Sequence, residues 1–317
     1  MTQTTTAPTA PAVTTINRRL TNDAWDCARQ LLLSGEVRDG MDLISKALNH
    51  VRASATEEVW HLAIEEYRSH PVFELVREAP ITRRALDKPR GYAGDAVTLD
   101  YIYGMAARPD GCSTLGSAMY GWERETRAAR AVRGRMELAG ALLNDLARRI
   151  QGPMAVSVAC GHLREASRLE HWKEAQGQLV AMDKDILSLG VVHNSYGHLG
   201  VLPERKDPRG LLREIPYRNV DLVYSTGLYD YLSPRWAKAL TQALFKMVRP
   251  GGRVWIANFR EFPAVGYMEG SMGWWLRYRT ESDMESLVEA IPDKEIGKLQ
   301  VTTDETGTLV FLEITRA

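Results

Sequence analysis

Past residue 153 the chain changes character, and that change dictates the fold class. MAVSVA at 154–159 is a short apolar run of small and β-branched residues, stopped by Gly161. A helical pattern begins near Leu163, and a second short run, LVAM at 179–182, ends in Asp183. VDLVY at 220–224 and RVWIANF at 253–259 continue the series, separated by an amphipathic helix at 237–248 that Pro250, Gly251 and Gly252 close. Runs of this length bounded by turn residues read as buried strands, and their alternation with helices predicts a mostly parallel sheet covered on both faces. A strand near 199–202 has little to carry it. Segments 296–303 and 309–315, joined through Gly307, read as a hairpin, so at least one late strand is expected to run antiparallel.

The residues before this alternation read as helices. Trp25, Ala28, Leu31 and Leu32 recur at helical spacing, as do Met41, Ile44, Leu48 and Val51, with Gly35 and Gly40 as punctuation. A third run spans Thr56 to His70, with Glu57 and Glu58 at the positive end of its macrodipole and Pro71 as its stop. A helix dense in Arg and Ala is expected over 122–150. Between them, DKPRGYAGDAVTLDYIYG at 87–104 is a polar, aromatic loop around Gly91 and Gly94. The opening MTQTTTAPTAPAVTT has neither the charged nor the apolar region of a secretory signal and reads as a disordered tail. The expected organisation is a tail at 1–17, an all-helical N-terminal lid and substrate domain at 18–150, and an α/β domain at 151–317.

Composition narrows the chemistry. Forty basic residues balance forty acidic ones among 317, so nothing favours general nucleic-acid binding. No stretch of about 18 apolar residues is available to span a membrane. Cys27, Cys112 and Cys160 are odd in number and widely spaced, which fits reduced thiols in a cytoplasm rather than disulfides or a zinc site. The seven His residues show no metal-binding spacing, so no metal is expected. The sequence leaves homo-oligomer formation open.

The segment at 154–164 carries the chemistry. A tight turn after a buried strand brings backbone N–H groups to the crevice above the strand ends, where open α/β sheets bind ligands. Asp183, about 20 residues on, is placed to accept both hydroxyls of a ribose. The dinucleotide fingerprint is missing: with Gly161 as its middle glycine, Ala159 and Arg164 fill the outer places. That bulk disfavours a pyrophosphate and tolerates an adenosine cofactor without phosphates. Simple turn chemistry, with Asp183 capping the next helix, is the plainer alternative.

These residues resemble the class I S-adenosylmethionine-dependent methyltransferases, whose glycine-rich loop would correspond to Ala159, Cys160, Gly161, His162 and Leu163. VDLVYSTGLYDYL and VRPGGRVWIANF resemble that family's fourth strand and fifth-strand crossover. KPRGYAGD near residue 90 and YMEGSMGWWLRYR at 267–279 resemble the branch that includes the extracellular-factor fatty-acid methyl ester enzymes, carboxyl methyltransferases. The resemblance implies a Rossmann-like methyltransferase domain with S-adenosyl-L-methionine as cofactor and a small-molecule substrate. It implies Ala159, Gly161 and Glu165 near the methionine portion, Asp183 on the ribose, Arg209 and Gly210 near the adenine, and Ser225, Thr226 and Gly227 as the floor. It places Tyr229, Asp230 and Tyr231 toward the substrate.

Each further candidate has a plainer reading beside it. Arg90 and Arg279 could pair with an anionic substrate, or be ordinary surface arginines. Tyr92, Tyr101 and Tyr103 lie in or after the glycine loop and could face ligand, Tyr92 with a catalytic role. Trp274, Trp275 and Tyr278 have helical spacing, and Trp275 is either a substrate contact or core. Glu165 is also what the first turn of a helix favours. Glu170, seven residues after Leu163, could serve as general base or pair with Lys173 in solvent. The expected activity is methyl transfer to a small, partly apolar, anionic metabolite in specialised metabolism. Methylation of an isoprenoid double bond with Glu170 as base is one alternative. An NAD(P)-dependent oxidoreductase and a non-catalytic cofactor-binding sensor are the others.

Overall fold

The computed structural model describes residues 11–107 and 111–317, with side chains from Asp23 onward. Ten residues of the expected tail lie outside that range. The rest of it is helical, because the first helix already starts at Pro11.

The chain packs as two units that interleave in sequence. Among the described residues the first takes 11–87, 111–123 and 263–274. It holds α1 (Pro11–Ser34), α2 (Val37–Ser54), α3 (Glu57–Ser69), α4 (Pro71–Val76) and α5 (Pro80–Asp87). The Thr56 hydroxyl accepts from Val59 N at the start of α3, and Pro71 begins α4 where its missing N–H costs nothing. Trp25, Ala28, Leu32, Met41, Ile44 and Leu48 are buried here, as the helical spacing predicts, and Trp60 and Tyr67 join them.

The second unit contains α6 (Ala96–Tyr103) and α8 (Arg127–Arg149), whereas α7 (Thr114–Glu125) belongs mostly to the first. The sequence reads 122–150 as one helix. Thr126 interrupts it, taking an extended backbone and capping α8 through Ala129 N. The units are therefore not divided at residue 150: segments 88–107 and 124–149 pack with the sheet, and a piece from the α/β half, 263–274, packs with the helices.

Seven strands form one sheet: β1 (Met154–Val158), β2 (Gln178–Asp183), β3 (Val201–Arg205), β4 (Val220–Ser225), β5 (Val248–Phe259), β6 (Ile296–Thr303) and β7 (Leu309–Arg316). Their order is β3-β2-β1-β4-β5-β7-β6. Strands β1 to β5 pair in parallel, and β7 runs antiparallel to both β5 and β6. This is the expected Rossmann-like α/β architecture with its late antiparallel strand. The weakly signalled third strand is real but lies at the sheet edge, where its burial is uneven, so an apolar run is not required of it. Helices α9 (Ile186–Tyr196) and α10 (Pro234–Phe245) and the short α12 (Glu281–Glu285) complete this unit, with α11 (Val265–Met272) in the first. One sheet face buries Val156, Val180, Val223 and Ile256 against Leu240 and Leu244 of α10 and Leu287.

The helix expected after Leu163 does not form. A 3-10 turn at Arg164–Arg168 is followed by a chain pinned through single side chains. The Asn144 amide donates to Arg168 O at 2.7 Å and accepts from Glu170 N at 3.0 Å. Trp172 is buried against Gly177, where a Cβ would come within 2.4 Å of its ring.

Candidate functional site

The strand order reverses between β1 and β4, and a crevice opens beyond the carboxyl ends of parallel strands at such a point. A cavity of about 500 Å³ lies there. Its wall comes from the loops after β1, β2, β3 and β4, from segment 90–103, and from Arg135 of α8. All of these belong to the second unit.

The loop after β1 has an unusual backbone. Ala159, Gly161 and Leu163 all take positive φ, at 57°, 54° and 49°. Alternate residues thus adopt the left-handed conformation, which costs a residue with a Cβ roughly 1–2 kcal/mol. The conformation turns Cys160 N to Met182 O at 3.0 Å and Gly161 N to Asp183 Oδ2 at 2.9 Å. A Cβ at Gly161 would lie 3.3 Å from that of Ala96, a tight contact that adds to the backbone preference for glycine.

Asp183 ends β2 and lines the cavity, buried. Its Oδ1 accepts from Asp185 N at 2.9 Å, so each oxygen holds one backbone donor and keeps one lone-pair direction unused. The cap of α9 is Asp185, through Leu187 N at 3.0 Å, and not Asp183. Glu165 is buried beside the loop. Tyr224 donates to it at 2.9 Å, and burial pushes its carboxyl above the usual carboxylate range.

A polar network fixes the loop from segment 90–103. His162 Nδ1 and Asp100 Oδ2 are 2.8 Å apart, and Arg164 grips the same carboxylate through Nε at 2.7 Å and Nη2 at 2.5 Å. Burial opposes the Asp100 charge, but the hydrogen bonds from Arg164 and His162 outweigh it and hold the carboxyl below its ordinary value. Arg90 Nη1 donates to Asp185 and Ser188, both at 2.9 Å, and lies 3.3 Å from His162 Nε2. A guanidinium only donates, so the imidazole proton belongs on Nδ1 facing Asp100. Sequence reasoning missed His162, Asp100, Arg164 and Arg135 as a group. Asp100 and His162 stand 62 positions apart, and only the fold joins them.

The structure brings most of the expected residues together. Ala159, Gly161, Glu165, Asp183, Arg209, Thr226, Gly227, Arg90, Tyr92 and Tyr231 all line the cavity, with Tyr103. The Tyr92 ring sits edge-on to Tyr231 with centroids 6.3 Å apart, and Lys184 Nζ is 5.7 Å from its face. Burial, with the charges of Asp183, Asp95 and Asp185, pushes the Tyr92 phenol up to about 12.

Other expected residues lie elsewhere. Glu170 is exposed, pairs with Arg148 at 3.4 Å and does not line the cavity, because the helix that would have turned it inward is absent. Tyr229 is sealed in the core, its hydroxyl 3.0 Å from Thr241. Arg279 is buried as well: its guanidinium donates to Tyr229 O, Asn258 Oδ1 and Leu232 O, locking the loop after β4 from behind. Ser225 donates to Val158 O at 2.9 Å and joins β4 to β1 beneath the cavity floor. Gly210 and Trp275 are not in the wall, and Trp275 is 39% exposed. The helical spacing of Trp274, Trp275 and Tyr278 is fortuitous: α11 stops at Met272, and Gly273 turns left-handed at φ 57°.

No family model and no curated protein matches the chain. Solved structures do. A possible exported protein from Bordetella parapertussis aligns with a TM-score of 0.55 and 17% identity, over 77% of this chain and 94% of that one. This shows a shared fold. Magnesium protoporphyrin IX methyltransferase from Synechocystis PCC 6803, solved with S-adenosylmethionine, aligns over 75% of this chain and 97% of its own, at 13% identity and a TM-score of 0.47. N-methyltransferase NodS from Bradyrhizobium japonicum WM9, solved with S-adenosyl-L-homocysteine, aligns over 58% and 86%, at 14% identity and a TM-score of 0.42. Among the described residues no group of three or more His, Cys, Asp and Glu could hold a metal ion, and no helix is long and apolar enough to cross a membrane.

Proposed function

We propose that the protein is an S-adenosylmethionine-dependent methyltransferase acting on a small, partly apolar, anionic metabolite. One observation carries this reading: the left-handed loop at 159–163 is bonded through Gly161 N to the carboxylate of Asp183, at the point where the strand order reverses. The residues fit an adenosyl group. Asp183 is fixed by two backbone donors and keeps acceptor capacity for a ribose diol. Ala159 and Arg164 fill the loop places where a pyrophosphate would need bare backbone, which argues against a dinucleotide.

In this reading the 159–163 loop and Glu165 hold the methionine end, Asp183 the ribose, and Arg209 the adenine side. When bound, the cofactor supplies an electrophilic methyl group. The chain's own task is orientation and exclusion of water. Tyr92 and Tyr231 offer aromatic faces to a cation. The network of Asp100, His162, Arg164 and Arg90 keeps the loop in its costly conformation. No base is assigned, and an acceptor that is already anionic needs none. The free cysteines suit a cytoplasmic enzyme.

Calorimetry tests the reading. S-adenosylhomocysteine should bind with micromolar-range affinity, and Asp183→Ala should weaken it at least about tenfold, ~1.4 kcal/mol. Binding of a nicotinamide coenzyme with no heat from either adenosyl compound overturns it.

A further inference from the structure

Arg135 projects from α8 into the cavity wall and is 4% exposed. Its Nη1 is buried and has no hydrogen-bond partner. The facing carboxylate oxygen, Asp230 Oδ2, is 3.9 Å away, too far for a hydrogen bond. Asp230 Oδ1 is already taken by Phe259 N at 2.6 Å. Glu165, also near, is engaged by the Tyr224 hydroxyl. Burial drives both carboxyls toward their neutral forms, Asp230 to about 6, which weakens their compensation of the guanidinium. The Tyr103 phenol, which takes a hydrogen bond from the guanidinium, and the Phe259 ring, 5.9 Å from the guanidinium carbon, complete its surroundings.

A buried guanidinium without a full set of acceptors is costly, and a ligand acceptor that meets its cavity side offsets part of that cost. The other guanidiniums singled out from the sequence are spoken for. Arg90 is tied to Asp185 and Ser188, and Arg279 to three oxygens behind the loop. We propose that Arg135 is the anchor for a carboxylate on the acceptor substrate, and so the residue that selects acids over their neutral analogues. A carboxylate suits the site better than a phosphate, because one guanidinium balances one negative charge and leaves a second unpaired. Leu228, Leu232 and Leu240 in the same wall would take an apolar body.

The inference rests on the methyltransferase reading, and the test separates the two. Binding of S-adenosylhomocysteine is measured first, and its absence sinks the methyltransferase reading itself. Matched acids and primary amides are then titrated into the protein saturated with S-adenosylhomocysteine: octanoate and octanamide, benzoate and benzamide, phenylalanine and phenylalaninamide, arginine and argininamide. At least one acid should bind, with its amide at least about tenfold weaker. Arg135→Gln should abolish that preference while S-adenosylhomocysteine affinity holds within about threefold, and Arg135→Lys should restore part of it. If no acid binds, or acids and amides bind alike to the wild-type protein, or Arg135→Gln keeps the preference, Arg135 is not a carboxylate anchor. The wild-type comparison stands even if the variants fold poorly.

Discussion

Residue chemistry at the site is decided by burial as much as by identity. Tyr92 and Tyr229 are the same amino acid, yet one faces the cavity and the other is sealed against Thr241. With its phenol pushed up to about 12, Tyr92 stays protonated well above neutral pH and presents an aromatic ring to the cavity. Tyr92→Ala should therefore lower turnover at least about tenfold while shifting S-adenosylhomocysteine affinity by less than about threefold. Side-by-side kinetics and calorimetry check this, and equal losses in both would remove Tyr92 from the acceptor side. Asp183 and Gly161 were legible from the sequence because turn and acid sit at fixed distances from strand ends. Arg135 was not, because a lone arginine on a long amphipathic helix carries no local sign of facing a cavity.

At the scale of elements, the loop after β1 holds a left-handed backbone at residues other than glycine. Ala159 and Leu163 adopt a backbone that glycine takes at no steric cost, and the hydrogen bonds to Met182 and Asp183 hold them there. Gly161→Ala should destabilise the protein by roughly 1–2 kcal/mol from its φ alone, with further cost from the 3.3 Å approach to Ala96. Thermal unfolding measures it, and an unchanged midpoint would mean the loop relaxes freely. The expected helix after Leu163 failed for a related reason. Periodicity suggested it, but packing of Arg168 on Gly140 and the fork of Arg164 on Asp100 draw the chain into a 3-10 turn. Glu170 then falls outside the site and its candidacy as base falls with it.

At the scale of the whole molecule, buried acids make stability depend on pH in each unit. In the first unit Glu123 accepts from Ile81 N and Thr82 N, and burial outweighs those bonds and pushes its carboxyl up to about 7. Between about 4.5 and 7 the folded chain keeps this proton while the unfolded chain releases it, so stability falls as pH rises through that window. Glu123→Gln removes the slope and adds a pH-independent loss of one acceptor. The variant should gain on the wild type by on the order of 3 kcal/mol from pH 4.5 to 7, read by denaturant unfolding at several pH values. Parallel stability curves would refute the raised carboxyl. The sequence by itself determined the sheet class, the late hairpin, the helical N-terminal segments and the turn and acid at the first two strand ends, because each rests on periodicity or turn chemistry within a few residues. The tertiary structure alone decided that 263–274 joins the helices, that segment 90–103 braces the loop after β1, and that Arg135 of α8 lines the cavity. Those outcomes depend on burial and hydrogen bonding between residues tens to hundreds of positions apart, and no local pattern encodes them.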